Sequence, residues 1–411
     1  MPVRRIGRAW LGFRTFCGGF VLGFVSRCRA AGGEAVAPRR GGRENAAVAD
    51  HVEARRGNQR GQTLQELERF ENDAVRAVAP VAAPETVLIV GVNWLGDSIM
   101  AMPALQSYRR RHPAARLVMA VRPHLAPLWQ MHPALAEVRA CSGALPELLQ
   151  LARQLRRERP AAAYVWPRSF RAALAPWLAG IPRRRGLPGH GRDWMLTEVF
   201  PPPADARRHQ AFEYLNLMGD DTAEIEPPAL QAPAELQQQW RARLQAAGPA
   251  NWVALLPGAA FGPAKRWPDG HFAETGRRLQ RELSAGVAVL GAAAESALCR
   301  SVADQIGGSA ISLAGQTTLP DLAAILACCR LAVTNDSGGM HLATAMHTPV
   351  VAVFGITNPD QTGPLGTRAC VLQNSSFRAR DFKHQIHQAA AALAAITPDQ
   401  AVAAALRLLA G

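Results

Sequence analysis

From residue 86 onward, short runs of Val, Ile and Leu alternate with longer stretches whose apolar residues recur every three or four positions. Runs that are apolar at every position suit strands buried on both faces, and the amphipathic stretches between them suit the helices that cover such strands. This is the pattern of an α/β protein built on parallel sheets. It predicts strands over 86–92, 116–121, 163–166, 252–256, 287–290, 331–334 and 350–354, and helices over 98–111, 145–159, 271–283, 295–306 and 319–328. From about Pro201 to Ala250 the pattern breaks, and Pro201, Pro202, Pro203, Pro227, Pro228 and Pro233 punctuate the break. That stretch reads as a linker between two groups of similar size. The expected domains are therefore a Rossmann-like unit over 85–245 and a second over 246–411, facing each other across a cleft, with ligands at the carboxyl ends of the strands.

The first 84 residues show no such pattern and carry 14 arginines against 8 acidic residues. Arg4, Arg5 and Arg8 followed by an apolar stretch, interrupted by Arg14, have the look of a signal peptide or short anchor. The uninterrupted apolar part, 15–26, falls short of the roughly 20 residues that a bilayer span needs. A short helix is expected over 63–78. Region 1–84 is read as a low-order extension: a weak membrane-surface anchor, a cleaved targeting segment, or upstream sequence included by a wrong start codon. The last is favoured, because residues 86–411 read as a complete cytosolic enzyme.

Composition narrows the function. The 411 residues are 48% hydrophobic, enough for a substantial core. Seven cysteines occur without a CxxC pair or zinc-site spacing, which excludes a disulfide scaffold and structural zinc. The net charge of +14 invites an anionic partner. It is almost entirely arginine, since Lys265 and Lys383 are the only lysines, and it is scattered, with no basic face interleaved with aromatics of the kind nucleic acid requires. The runs at Arg109, Arg110 and Arg111 and at Arg156, Arg157 and Arg159 read as solvated helix faces.

Three strand-to-helix turns could carry chemistry. After the first strand, Asn93-Trp94-Leu95-Gly96-Asp97 places an acid at a helix start; Asp97 reads either as an N-cap or as a cleft-facing general base. In the second half, Pro257-Gly258-Ala259-Ala260 leads to Lys265-Arg266, small residues that admit a ligand followed by cations that suit phosphate oxygens. A plain surface loop is the alternative. Further on, Asp336-Ser337-Gly338-Gly339-Met340-His341 opens a helix whose exposed N–H groups form an anion site; Asp336 could take sugar hydroxyls and His341 could donate to a phosphate, or Asp336 could simply cap. Glu295 stands where an acidic residue often holds a ribose, although a first-turn Glu needs no such task. A fourth loop, 354–364, offers hydroxyl donors. Neither GxGxxG nor a Walker loop is present, and no DxD pair offers to hold a divalent metal. Together these features describe a nucleotide-diphosphate site without a metal or other cofactor.

These residues resemble the lipopolysaccharide heptosyltransferases that use ADP-heptose, the type II members being the nearest fit. The resemblance rests on Asn93 to Asp97, on residues 257–268, on Asn335 to His341 and on residues 348–355, in order over 86–411. It implies a GT-B fold with an acceptor-binding first domain and a second domain that binds ADP-L-glycero-β-D-manno-heptose. It implies an inverting transfer to the first heptose of the inner core on Kdo2-lipid A, with Asp97 as the base and Lys265 neutralising the departing ADP. Gly258, Ala259, Arg266, Asp336, Ser337, Gly338, Gly339 and His341 would join in holding the donor, and Glu295 its ribose. Asn93, Trp94, Arg168 and Arg184 would serve the acceptor. Such an enzyme works in the cytoplasm, peripheral to the inner membrane. At Gly339 the family more often has Pro or Leu. Transfer to another acceptor, as in types I and III, and non-catalytic binding of a nucleotide sugar are the alternatives.

Overall fold

The computed structural model describes residues 85–201, 208–220, 224–260, 262–374 and 386–410. The expectations for region 1–84, including the helix over 63–78, lie outside the described residues. The first half runs β1 (Thr86–Val90), α1 (Leu95–Arg111), β2 (Arg116–Val121), α2 (Ala126–Gln130), β3 (Glu137–Ala140), α3 (Leu145–Glu158), β4 (Ala162–Val165), α4 (Phe170–Leu178), β5 (Arg183–Gly186) and β6 (Glu198–Val199). Two helices follow, α5 (Ala211–Leu217) and α6 (Ala234–Ala247). The second half runs β7 (Asn251–Leu256), α7 (Asp269–Glu282), β8 (Ala285–Val289), α8 (Ser296–Ile306), β9 (Ala310–Ser312), α9 (Leu319–Cys328), β10 (Leu331–Asn335), α10 (Gly338–Ala345), β11 (Val350–Phe354), α11 (Pro359–Thr362), β12 (Ala369–Gln373), α12 (Ile386–Ala394) and α13 (Pro398–Ala410).

Each half is a six-stranded parallel sheet. The orders are β3-β2-β1-β4-β5-β6 and β12-β11-β10-β7-β8-β9, the same topology twice. In both, the chain reverses its direction of travel between the first and fourth strands of the sheet, β1 beside β4 and β7 beside β10. Loops leaving those strands splay apart and leave a crevice, the position where doubly wound sheets bind ligands.

The central strands form because both of their faces are covered. Val87, Leu88 and Ile89 of β1 are fully buried, as are Leu331, Ala332 and Val333 of β10. Helix α3 buries Leu148, Leu151, Ala152 and Leu155, an i, i+3, i+4, i+7 stripe, and its chain turns out at Arg159 with φ 51°. Helix α9 starts in a capping box, in which Thr318 accepts from the Asp321 N–H while Asp321 accepts from the Thr318 N–H at 2.8 Å.

The expected linker carries two helices among its described residues. Helix α5 packs on α1, and α6 packs on α9, where Trp240 Nε1 donates to Asp321 Oδ1 at 2.8 Å. The charged strand β5, Arg183-Arg184-Arg185-Gly186, pairs with β4 and β6, and Arg183 and Arg185 flank Glu198. The first arginine run is also not a simple solvated face. Arg109 Nε donates to the Ala134 carbonyl at 3.2 Å and Arg111 Nη2 to the Met218 carbonyl at 2.9 Å, which ties the end of α1 to its neighbours.

Candidate active site

The first-half side of the crevice starts where β1 ends. Gly91 must lack a side chain, because a Cβ there would meet Met119 Sδ at 2.9 Å. Trp94 takes the N-cap position of α1 without a side-chain cap bond, and Asp97 lies in the first turn. An acid in that turn suits the positive end of the helix. Asp97 Oδ1 accepts a hydrogen bond from Gln210 Nε2 at 3.1 Å, and the same amide lies 3.1 Å from the Tyr214 hydroxyl.

The second-half side is held by Asn335 at the end of β10. This side chain is fully buried; its Nδ2 donates to the carbonyls of Pro257 (2.8 Å) and Gly258 (3.3 Å), and its Oδ1 accepts from the Trp267 N–H at 2.9 Å. Both ends of the loop after β7 are thus fastened to β10, and the stretch between them presents Ala259, Ala260 and Lys265 to the crevice. Lys265 Nζ donates to Asp336 Oδ2 at 2.6 Å, and Thr357 Oγ1 donates to the same oxygen at 2.8 Å. Ser337 precedes α10 without capping it through its side chain, and Gly338 begins the helix. A bare helix N-terminus of this kind favours anions.

His341, on the first turn of α10, is buried, and its Nδ1 has no hydrogen-bond partner. Burial pushes its pKa down to about 4, so the ring is neutral. Its Cδ2 lies where a Cβ on Gly96 would come within 3.1 Å, so the turn before Asp97 and the helix behind the anion site meet there. Glu295 faces Gly258 so closely that a Cβ at Gly258 would collide with its carboxylate. Glu295 Oε2 accepts from the Ala292 N–H at 2.9 Å.

Trp94, Asp97, Gly258, Ala259, Lys265, Glu295, Asp336, Ser337, Gly338, Gly339 and His341 therefore line one cleft of about 630 Å³, open to solvent. Four expected site residues do not line it. Asn93 lies on a separate, small cavity of about 60 Å³ at the ends of β1 and β2, beside Arg122 and Arg171. Arg168 pairs with Glu213 at 3.1 Å. Arg184 turns toward its own loop, donating from Nε to the Met195 carbonyl at 2.6 Å and from Nη1 to that of Ile181. Arg266 has a buried Nε without a partner, and its charge bears on Cys299 of α8. Gln210, Thr317 and Thr318 line the cleft without having stood out in the sequence. Among the described residues, no group of three His, Cys, Asp or Glu side chains is placed to hold a metal ion.

Two parallel-sheet halves with a crevice at both topological switch points form the GT-B architecture, and comparison with known proteins supplies the class of activity. The model of glycosyltransferase family 9 (heptosyltransferase) matches residues 148–390. The chain belongs to this family and is a glycosyltransferase. It is 31% identical over 321 residues to lipopolysaccharide heptosyltransferase 2 of Escherichia coli K12, covering 70% of this chain and 87% of that protein. It is 32% identical over 350 residues to lipooligosaccharide heptosyltransferase 2 of Haemophilus ducreyi, covering 79% of this chain and 99% of that one. The solved structure of E. coli ADP-heptose LPS heptosyltransferase II superposes with a TM-score of 0.70 at 28% identity, over 79% of this chain and 98% of that one.

Proposed function

We propose that this transferase moves L-glycero-D-manno-heptose from ADP-heptose to the first heptose of the inner core on Kdo2-lipid A, by a single inverting displacement that needs no metal. The observation that carries this reading is one cleft with a carboxylate, Asp97, on one side and a cation, Lys265, beside an open helix N-terminus on the other. In a one-step displacement the base must take the acceptor proton on one face of the anomeric carbon while charge builds on the leaving group at the other. Asp97 is the base. Lys265, the N–H groups at Ser337, Gly338 and Gly339, and His341 take the diphosphate as it departs. Asp336 holds the heptose hydroxyls. Glu295, with Oε2 given to the Ala292 N–H, offers Oε1 to the ribose, and Gly258 and Ala259 let the nucleotide close to the backbone.

The acceptor is assigned to the first half, with Trp94 at the cleft and Asn93 on the neighbouring cavity between Arg122 and Arg171. Arg168 lies at the exposed margin of this half, whereas Arg184 is tied to carbonyls of its own loop. Residues 85–201 carry 16 arginines against seven acidic residues, a balance that suits a phosphorylated, membrane-anchored acceptor. On the same half Phe170, Trp177 and Trp194 are exposed, and Phe170 and Trp177 each pack on Trp194, with ring centroids 5.0 Å apart for the two tryptophans. Aromatic side chains flanked by arginine favour a lipid–water interface. Among the described residues no single helix is long and apolar enough to cross a membrane, so the proposed place of work is peripheral, at the cytoplasmic face of the inner membrane.

The test is ADP release from ADP-heptose, with and without chelator, using heptosyl-Kdo2-lipid A as acceptor and Asp97→Asn as control. Turnover that resists chelator and falls by at least about a hundredfold in the variant supports the reading. Turnover with Kdo2-lipid A alone would move the assignment to a type I acceptor. ADP-heptose binding without turnover on either acceptor would leave a nucleotide-sugar-binding protein.

A further inference from the structure

Gln210 has no chemistry of its own to offer a glycosyl transfer, yet it touches three parts of the crevice at once. Its side-chain amide donates to Asp97 Oδ1 at 3.1 Å and lies 3.1 Å from the Tyr214 hydroxyl, one turn further along α5. Its backbone N–H donates to the carbonyl of Gln361 in α11 at 2.9 Å, across the crevice in the second half. The preceding residue repeats the link: His209 Nε2 bonds to the Gly363 carbonyl at 3.1 Å while its Nδ1 accepts from the Ala211 N–H at 3.1 Å. This pattern assigns the proton to Nε2 and keeps the ring neutral, in the direction that its burial also pushes. The end of α5 is therefore pinned to the second half by two bonds, and from that end one amide reaches the carboxylate of the first half.

We propose that Gln210 is a positioning residue: it fixes the Asp97 carboxylate toward the acceptor and makes that orientation depend on the contact between the halves through Gln361 and Gly363. Tyr214 supports the amide from a fully desolvated position. The inference rests on the assignment of Asp97 as the base. A side-chain N–H directed at a carboxylate favours its charged form, so Gln210 also keeps Asp97 ready to accept a proton at lower pH. Of the titratable groups around this carboxylate, Tyr214 of α5 interacts with it; Glu213, paired with Arg168, acts on Tyr214, and His341 of α10, which feels Asp336, His209 and Lys265, lies against Gly96 next to Asp97. Burial keeps Tyr214 and His341 uncharged, so their protonation does not change across the acid limb above pH 5.

The experiment measures kcat, KM for ADP-heptose and the pH profile of kcat/KM with heptosyl-Kdo2-lipid A, on the full chain, for Gln210→Met, Gln210→Glu, Tyr214→Phe and Asp97→Asn. Gln210→Met keeps the length and removes the donor; it is expected to lower kcat by about 10- to 100-fold, with KM for ADP-heptose within about twofold and the acid limb moved up by about one pH unit. Gln210→Glu sets a second carboxylate beside Asp97 and should move the limb further in the same direction. Tyr214→Phe should reproduce the Met effect on a smaller scale. A Gln210→Met enzyme with kcat within twofold and an unmoved limb, beside an inactive Asp97→Asn, overturns the inference alone. An Asp97→Asn enzyme that still turns over overturns the base assignment and this inference with it. Thermal unfolding of each variant separates these outcomes from loss of fold, and the Tyr214→Phe profile decides the matter if the Gln210 variants do not fold.

Discussion

The turn after β1 and the turn after β7 occupy the same place in two sheets of the same strand order, yet they share almost no chemistry. The first is short and enters α1 within four residues, and it brings a carboxylate and an exposed tryptophan to the crevice. The second runs through Gly258 and Ala259 to Lys265 and is bolted to β10 by Asn335. Charge follows the same division: the first half has a large excess of arginine over acid, whereas residues 202–411 hold 16 basic and 17 acidic residues. The fold supplies two equivalent crevice edges, and on the proposed assignment loop length and residue type decide which edge handles acceptor and which handles donor.

If that division is real, exchanging roles should be impossible and removing them should be unequal. The largest expected effect is at the two charged side chains. Asp97→Ala should lower kcat by about 10²- to 10⁴-fold with little change in the affinity for ADP-heptose. Lys265→Met should lower kcat by about 10²- to 10³-fold and weaken ADP-heptose binding as well. Calorimetry with the donor alone separates the two, and equal donor affinities in the two variants would break the comparison.

Next in size is the bolt. Asn335→Leu leaves the Pro257 carbonyl and the Trp267 N–H buried without partners, at a stability loss of about 2–4 kcal/mol, read as a drop in Tm together with a raised KM for the donor. A Tm shift without a KM change would show that Asn335 is structural only. Gly258→Ala should follow, raising the donor KM because the new methyl group displaces the Glu295 carboxylate. An unchanged KM would remove Glu295 from the ribose site.

The smallest effect concerns pH. His341 and His132 are both held neutral by burial, with pKa values of about 4 against 6.5 for an exposed imidazole. The unfolded chain takes up protons that the folded chain refuses between pH 6.5 and 4, so stability is complete above that window and falls as pH drops through it. Tm measured from pH 7 to pH 4 should decline, and His132→Asn should flatten part of the decline. His132 lies in the first half, away from the cleft, so the donor KM should stay unchanged in this variant.

Sequence reading found the central strands and the crevice loops because their signals are local. A run such as Val87-Leu88-Ile89 announces a two-sided burial, and small residues followed by Lys265 announce a place for phosphate. It missed β5 because Arg183-Arg184-Arg185 has no apolar run to announce a strand; as a strand, alternate arginines meet Glu198 on one face while Arg184 turns to carbonyls on the other. Strands β3, β9 and β12 are only half-buried, and β3 and β9 lack a sustained apolar run. The break between the halves hid α5 and α6 behind its prolines. Gln210 was illegible for a different reason: an amide in a Pro-rich stretch means nothing until the fold brings it to a carboxylate 113 residues earlier in the chain.

The Lys265–Asp336 pair has a consequence for turnover. With its ammonium and carboxylate joined at 2.6 Å, the crevice already contains an internal stand-in for its own ligand. An incoming molecule displaces that stand-in at no net loss only if it brings an anion for the lysine and hydroxyls for the aspartate together. On the proposed assignment the intact nucleotide sugar does so. The nucleotide left after transfer would bring the anion alone, and the re-forming pair would compete with it, so the two side chains assigned to recognise the whole donor would also favour release of its spent half.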